Sequence, residues 1–216
     1  YGEEDGAPFL VMEFLPGGTL KERLGMPLPW MDVARLLAPI ARALEHAHRQ
    51  AGTIIHRDVK PSNILFTAGG IPMLSDFGIA KILETEETFE LTATGAGVGT
   101  PDYMAPEQSD KGFDHRVDVY ALGTVFYEMV TGRKPFKADT TLNVLIKKKT
   151  EPLPLPTKFV RGLPPSVEQI LEKALAKNPD DRYKSMGEFA LILENLAKGI
   201  FPKTPTSFSV TQKFNA

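Results

Sequence analysis

The chain has 216 residues, 42% of them apolar and 24% charged, with a formal net charge of -2 and no cysteine. This is enough apolar sequence for the core of one domain, and there is no bulk basic field to hold a nucleic-acid backbone. The missing cysteines exclude a disulfide scaffold and a Cys-ligated zinc site and fit a cytoplasmic location, and no apolar run reaches bilayer-spanning length.

Taken in chain order, Pro8 to Phe14 reads as a short apolar strand, stopped by Pro16-Gly17-Gly18. A short helix is predicted over Thr19 to Leu24. From Asp32 to Gln50, apolar side chains at Val33, Leu36, Leu37, Ile40, Leu44 and Ala47 follow a helical period, with Asp32 as the candidate N-cap. Pro39 falls inside this helix and should kink it or remove a hydrogen bond. Ile54-Ile55, Ile64-Leu65-Phe66 and Pro72-Met73-Leu74 read as short strands. Ile79 to Met104 is rich in Thr, Gly and Glu and shows no period. Val117 to Thr131 reads as a buried helix, followed by helices over Thr141–Lys149, Ser166–Lys177 and Ser185–Ala197. Residues 199–216 carry little core-forming pattern and are expected to be a linker or disordered tail.

Three signatures punctuate this pattern. His56-Arg57-Asp58-Val59-Lys60-Pro61-Ser62-Asn63 lies between short apolar segments, Asp76-Phe77-Gly78 follows another, and Ala105-Pro106-Glu107 closes the Thr-rich stretch. Singly, Asp58, Asn63 and Asp76 read equally well as turn-forming residues. In this order and together they resemble the catalytic loop, magnesium loop and activation-segment end of protein kinases. The wording Gly99-Thr100-Pro101-Asp102-Tyr103-Met104-Ala105-Pro106-Glu107-Gln108 resembles the bacterial eukaryotic-like serine/threonine kinases, and the likeness runs from about Pro8 to Ala197.

The resemblance implies an α+β fold, a mainly helical kinase C-lobe with short β-strands near the catalytic and magnesium loops. Residues 1–198 would form the hinge and C-lobe. It implies an ATP-dependent transferase that phosphorylates Ser/Thr hydroxyls on proteins with Mg2+, or Mn2+ in its place. Phosphoryl transfer asks the protein mainly to position groups and neutralise charge. Asp58 would orient the acceptor hydroxyl and take its proton, and Lys60 would place a charge near the transferring phosphate. Asn63 and Asp76 would offer oxygen ligands to magnesium. Thr100 would bond the catalytic aspartate and lysine. For the nucleotide, Glu13 and Leu15 would meet the adenine edge through their backbones, Met12 would be the gatekeeper, Leu65 would lie beneath the purine, and Thr19 stands where the family contacts ribose, often with an acid. The plain reading of Met12 and Leu65 is a buried strand and turn.

Other matches are architectural. His56 would pack on Phe77 and bond backbone rather than bind metal or act as a base. Asp118 would hold the catalytic-loop backbone, and Glu107 and Arg182 would form a buried ion pair. Thr92 and Thr94, upstream of Thr100, are the candidate autophosphorylation sites, with Arg57 as the phosphothreonine partner; the alternative is solvated loop threonines. The family's Gly-rich loop, strand lysine and helix glutamate have no counterpart in the chain, so it is expected to be a fragment, inactive alone. A membrane tether beyond residue 216 is compatible with the resemblance, and so is a dimer of kinase domains. Two other readings stay open: a non-catalytic interaction module made of a lone lobe, and a small-molecule phosphotransferase, which Thr100, Ala105-Pro106-Glu107 and Arg182 disfavour.

Overall fold

The computed structural model describes residues 2–4, 7–9, 11–77, 101–109 and 112–201. Thr92, Thr94, Thr100 and Gly78 lie outside them. The fold is α+β and mainly helical, as the sequence suggests.

Helix α1 (Trp30–His48) turns Val33, Ala34, Leu37, Ile40, Ala41 and Leu44 inward at the i, i+3/i+4 spacing of one face. It starts two residues before the predicted N-cap. Pro29 holds that position, and Asp32 sits in the first turn, where it pairs with Arg35 at 2.6 Å and complements the helix dipole. Pro39 lies within the helix on its exposed face, where water can serve the carbonyl of Arg35 that lacks its usual donor.

Helix α2 (Arg116–Thr131) is the centre of the molecule, buried on almost every side. It ends at Gly132, whose left-handed backbone (φ 70°) returns its N–H to the Glu128 carbonyl at 2.7 Å. Helix α3 (Thr141–Thr150) is capped by the Thr140 hydroxyl, α4 (Pro165–Ala174) begins with proline at its first position, and α5 (Met186–Ala197) is capped by Ser185. The α1–α5 contact is tied at two points. Arg42 donates to both carboxylate oxygens of Glu194 at 2.6 and 2.7 Å, and the Gly187 N–H donates to Glu45 at 2.7 Å.

Two antiparallel pairs complete the described fold: β1 (Gly2–Glu4) with β2 (Ala7–Phe9), and β3 (Ile64–Phe66) with β4 (Pro72–Leu74). The strand predicted over Pro8–Phe14 is therefore shorter. Residues 11–15 have no ladder partner among the described residues, and Val11, Met12 and Phe14 are 75%, 57% and 83% exposed. The predicted strand at Ile54-Ile55 is also absent: the Ile54 N–H instead closes onto the Ala47 carbonyl at the end of α1. The helix predicted over Thr19–Leu24 is a 3-10 turn, Leu20–Arg23. Beside it, Gly17 donates to the Phe66 carbonyl at 2.9 Å, and an added Cβ there would stand 2.6 Å from that oxygen. Glycine lets the two backbones meet. No helix among the described residues is long and apolar enough to cross a membrane.

Candidate active site

The site is assembled by two long-range devices. The first is the Asp118 carboxylate, fully buried on α2. It accepts the N–H of His56 at 2.8 Å and of Arg57 at 2.9 Å, and it meets His48 Nε2 at 2.7 Å. Arg57 is held at φ 67°, a left-handed conformation that costs a non-glycine residue about 1–3 kcal/mol. Its carbonyl accepts from Gln108 Nε2 at 2.7 Å, so both sides of the strained peptide are anchored.

His56 is fully buried, and both ring nitrogens are occupied. Nε2 donates to the Ser75 carbonyl at 2.9 Å, and Nδ1 accepts from the Asp58 N–H at 3.3 Å. These partners select the tautomer with its proton on Nε2. The ring also packs on Phe77 with centroids 4.7 Å apart. No nitrogen is left for a metal or for base chemistry.

The second device is the β3–β4 register. Ile64 lies opposite Leu74, which puts Asn63 opposite Ser75 and carries Asp76 to the same end of the hairpin. The Ser75 N–H donates to the Asn63 carbonyl at 2.9 Å and seals that end. Asp76 also has a left-handed backbone, at φ 57°.

Asp58, Lys60 and Asn63 converge here. Lys60 Nζ donates to Asp58 Oδ2 at 2.7 Å, and Asn63 Nδ2 donates to the carbonyl and the carboxylate of Asp58 at 2.9 and 3.1 Å. The Asn63 amide is thus turned so that its oxygen is the atom available as a ligand, approached among the described residues by the Ser62 hydroxyl at 3.3 Å. The described residues hold no cluster of three or more metal-ligating His, Cys, Asp or Glu. Two oxygen donors, Asn63 and Asp76, nevertheless suit magnesium, which keeps waters and substrate phosphates as its remaining ligands.

Among the residues that the resemblance assigns to the nucleotide, Thr19 bridges to Leu65 as an isolated antiparallel pair, and its hydroxyl donates to Glu22 at 2.9 Å. An acid therefore stands beside Thr19 that the sequence alone does not pair with it. Met12 and Glu13 are exposed and Leu15 and Leu65 are half-buried, so the plain reading of Met12 and Leu65 as a buried strand and turn is not found.

Three further features escape the sequence. A pocket of about 290 Å³ adjoins the site, lined among others by Lys21, Lys60, Ser62, Tyr103, Glu128 and Lys134. In it, the Tyr103 hydroxyl donates to Glu128 at 2.5 Å, and Lys134 pairs with Asp102. Burial pushes both the Tyr103 phenol and the Glu128 carboxyl above their ordinary pKa ranges. Lys148 is buried on α3 and donates to three backbone carbonyls of residues 101–104. Its neighbours Lys147 and Lys149 make the segment read as a solvated lysine run, so nothing local marks it. The third is the use of Gln108 as a backbone anchor. Glu107 and Arg182 do meet, in a bidentate pair at 2.6 and 2.8 Å, with the Arg182 side chain fully buried.

Residues 2–190 match the protein kinase domain family. The chain is 38% identical over 200 residues to the serine/threonine-protein kinase PknL of Mycobacterium tuberculosis, covering 91% of this chain and 49% of that protein. It is 40% identical over 192 residues to the serine/threonine-protein kinase Pkn1 of Myxococcus xanthus, covering 87% and 27%. To the serine/threonine-protein kinase PknH of Mycobacterium bovis it is 40% identical over 195 residues, covering 88% and 32%. The chain spans about half the length of PknL and about a third or less of the other two.

Proposed function

Because the chain belongs to the protein kinase family, we propose that it carries the phosphoryl-transfer residues of an ATP-dependent protein serine/threonine kinase. The observation that carries this reading is the bonded group Asp58–Lys60–Asn63, with Asp76 brought to the same hairpin end.

In this reading Asp58 accepts the proton of the acceptor hydroxyl and aims its oxygen at the phosphorus. Lys60 holds the Asp58 carboxylate in place in the resting site and offers its ammonium to the transferring phosphate. Asn63 and Asp76 would hold magnesium, whose charge would offset that of the phosphates. Leu15, Leu65 and Thr19, with Glu22 at hand, form the floor for adenine and ribose, and the backbones of Glu13 and Leu15 read the adenine edge. The ATP requirement argues for a cytoplasmic site of action.

Arg57 is the donor that binds the phosphate of activating phosphothreonines at Thr92 and Thr94. Its buried Nε has no hydrogen-bond partner among the described residues, and its guanidinium carbon lies 5.5 Å from the Phe113 ring centroid. A phosphate would supply the missing acceptor. These 216 residues supply only the lower side of the nucleotide site, so transfer by them alone should be weak or nil.

The test is transfer of labelled phosphate from Mg-ATP to a generic basic protein, by the full gene product beside its Asp76→Asn variant. Transfer lost in the variant supports the reading, and equal transfer from both overturns the role of Asp76. A second reading, a lobe that acts by binding partners, is favoured by the exposed Val11, Met12 and Phe14. It predicts no transfer by the full product and an unchanged partner affinity in Asp76→Asn.

A further inference from the structure

Helix α3 is short and mostly exposed, yet it buries two side chains one turn apart, Val144 and Lys148. Lys148 is 1% exposed. Its ammonium donates to the carbonyls of Pro101, Asp102 and Met104 at 2.7, 2.6 and 2.7 Å, which uses all three of its protons. Residues 101–104 close a turn, with the Met104 N–H on the Pro101 carbonyl at 3.2 Å. One cation therefore gathers the carbonyls of that turn onto a single point. Tyr103, whose carbonyl is not used, sends its ring into the pocket beside Lys60 and Ser62 and its hydroxyl to Glu128.

A buried cation with no carboxylate hydrogen-bonded to it is a costly way to fill space. An apolar side chain of the same length would suit packing better. What the ammonium adds is geometric: three fixed acceptors, hence one backbone path for residues 101–104. We propose that Lys148 is a positioning residue for the protein acceptor, holding the 101–104 backbone so that Tyr103 forms a fixed wall of the pocket next to Asp58 and Lys60. This rests on the kinase reading above.

Among the described residues, the charged and titratable groups around Lys148 are Asp102 and its partner Lys134 from the loops, Glu128 through Tyr103, the Tyr120 ring at 5.5 Å from Nζ, and the flanking Lys147 and Lys149 on α3. Arg182, paired with Glu107, lies over the same Tyr120 ring. Burial pushes Lys148 down to about 7, with Asp102 opposing and Lys134 adding to the fall. Acceptor positioning should accordingly weaken as pH rises above neutrality, when the ammonium is lost.

The experiment uses the full gene product and its Lys148→Met and Lys148→Arg variants. It reads steady-state transfer to the basic acceptor protein from pH 6 to 9 and amide hydrogen exchange of residues 102–104. Lys148→Met should raise the acceptor KM about tenfold or more, leave the KM for ATP within about twofold, and remove the alkaline fall in acceptor kcat/KM. Exchange at 102–104 should quicken at least tenfold while α1 and α5 stay protected, which guards against simple unfolding. Lys148→Arg, which keeps a charge, should recover most of both. Unchanged acceptor KM, or unchanged exchange at 102–104, would overturn the proposal. A wild-type protein with no transfer at all would overturn the kinase reading instead, and the exchange result would then decide the clamp on its own.

Discussion

The carboxylate of Asp118 on α2 accepts the backbone N–H of Arg57 at 2.9 Å, and Arg57 keeps a left-handed backbone at φ 67°. The strain and the buried acceptor belong together. Without Asp118, the N–H groups of His56 and Arg57 and the His48 ring would lose their partner, and the strained Arg57 backbone would keep the Gln108 bond to its carbonyl but no anchor on its N–H side.

Asp118→Ala should therefore destabilise the fold by about 3 kcal/mol or more, since each orphaned buried donor costs about 1–3 kcal/mol. Urea denaturation measures this. A loss under about 1 kcal/mol would mean the loop is held by other contacts.

Glu107 and Arg182 should be unequal partners. Glu107→Gln breaks a buried pair, a change that typically costs about 3–5 kcal/mol. Arg182 also donates to the carbonyls of Ala176, Lys177 and Arg116. Arg182→Met strands those acceptors as well and should cost more than Glu107→Gln. Chemical denaturation of both variants compares them, and the reverse order would contradict the assignment.

The buried lysine on α3 gives a stability trend with a definite sign. The folded state holds Lys148 at about 7 against an ordinary 10.5, so the unfolded chain binds more protons between those values. This group's contribution to stability should then rise with pH across that window, with a slope of up to about 1.4 kcal/mol per pH unit. Below about pH 7 the burial penalty is present in full. Comparing wild type with Lys148→Met by denaturation at pH 7 and pH 9 isolates the slope, and an equal slope in both proteins would remove Lys148 as its source. Stability and acceptor positioning should thus move in opposite directions with pH.

Pro39 is a local defect on the exposed face of α1. Pro39→Ala restores the missing N–H beneath the Arg35 carbonyl. It should stabilise the protein by about 1–3 kcal/mol, the helix-interior difference of about 3 kcal/mol reduced by the greater freedom of the unfolded chain. A shift in the urea midpoint reads it, and a destabilised variant would show that α1 needs its proline.

What can be read in the linear chain is what is encoded within a few residues. Asp58, Lys60 and Asn63 stand in one contiguous loop, where the resemblance places them together and where their side chains meet. The strands Ile64–Phe66 and Pro72–Leu74 and the existence of helices α1 to α5 follow from apolar patterning, because that signal arises within one turn or one ladder. Boundaries were less legible: Asp32 looks like a cap, but Pro29 takes the position, since packing of α1 extends the helix past the residue with the best capping chemistry. Residues 11–15 have strand-like composition but no strand, because a strand exists only where a second backbone supplies its hydrogen bonds. The remaining features depend on contacts across long sequence separations. Asp118 reaches His56 and Arg57, Arg182 reaches Glu107, Glu45 reaches Gly187, and Lys148 reaches the 101–104 turn. A lysine in a run of three carries the same local signal whether it faces water or a ring of carbonyls, so only the packing of α3 against the rest of the molecule decided which of the three is buried.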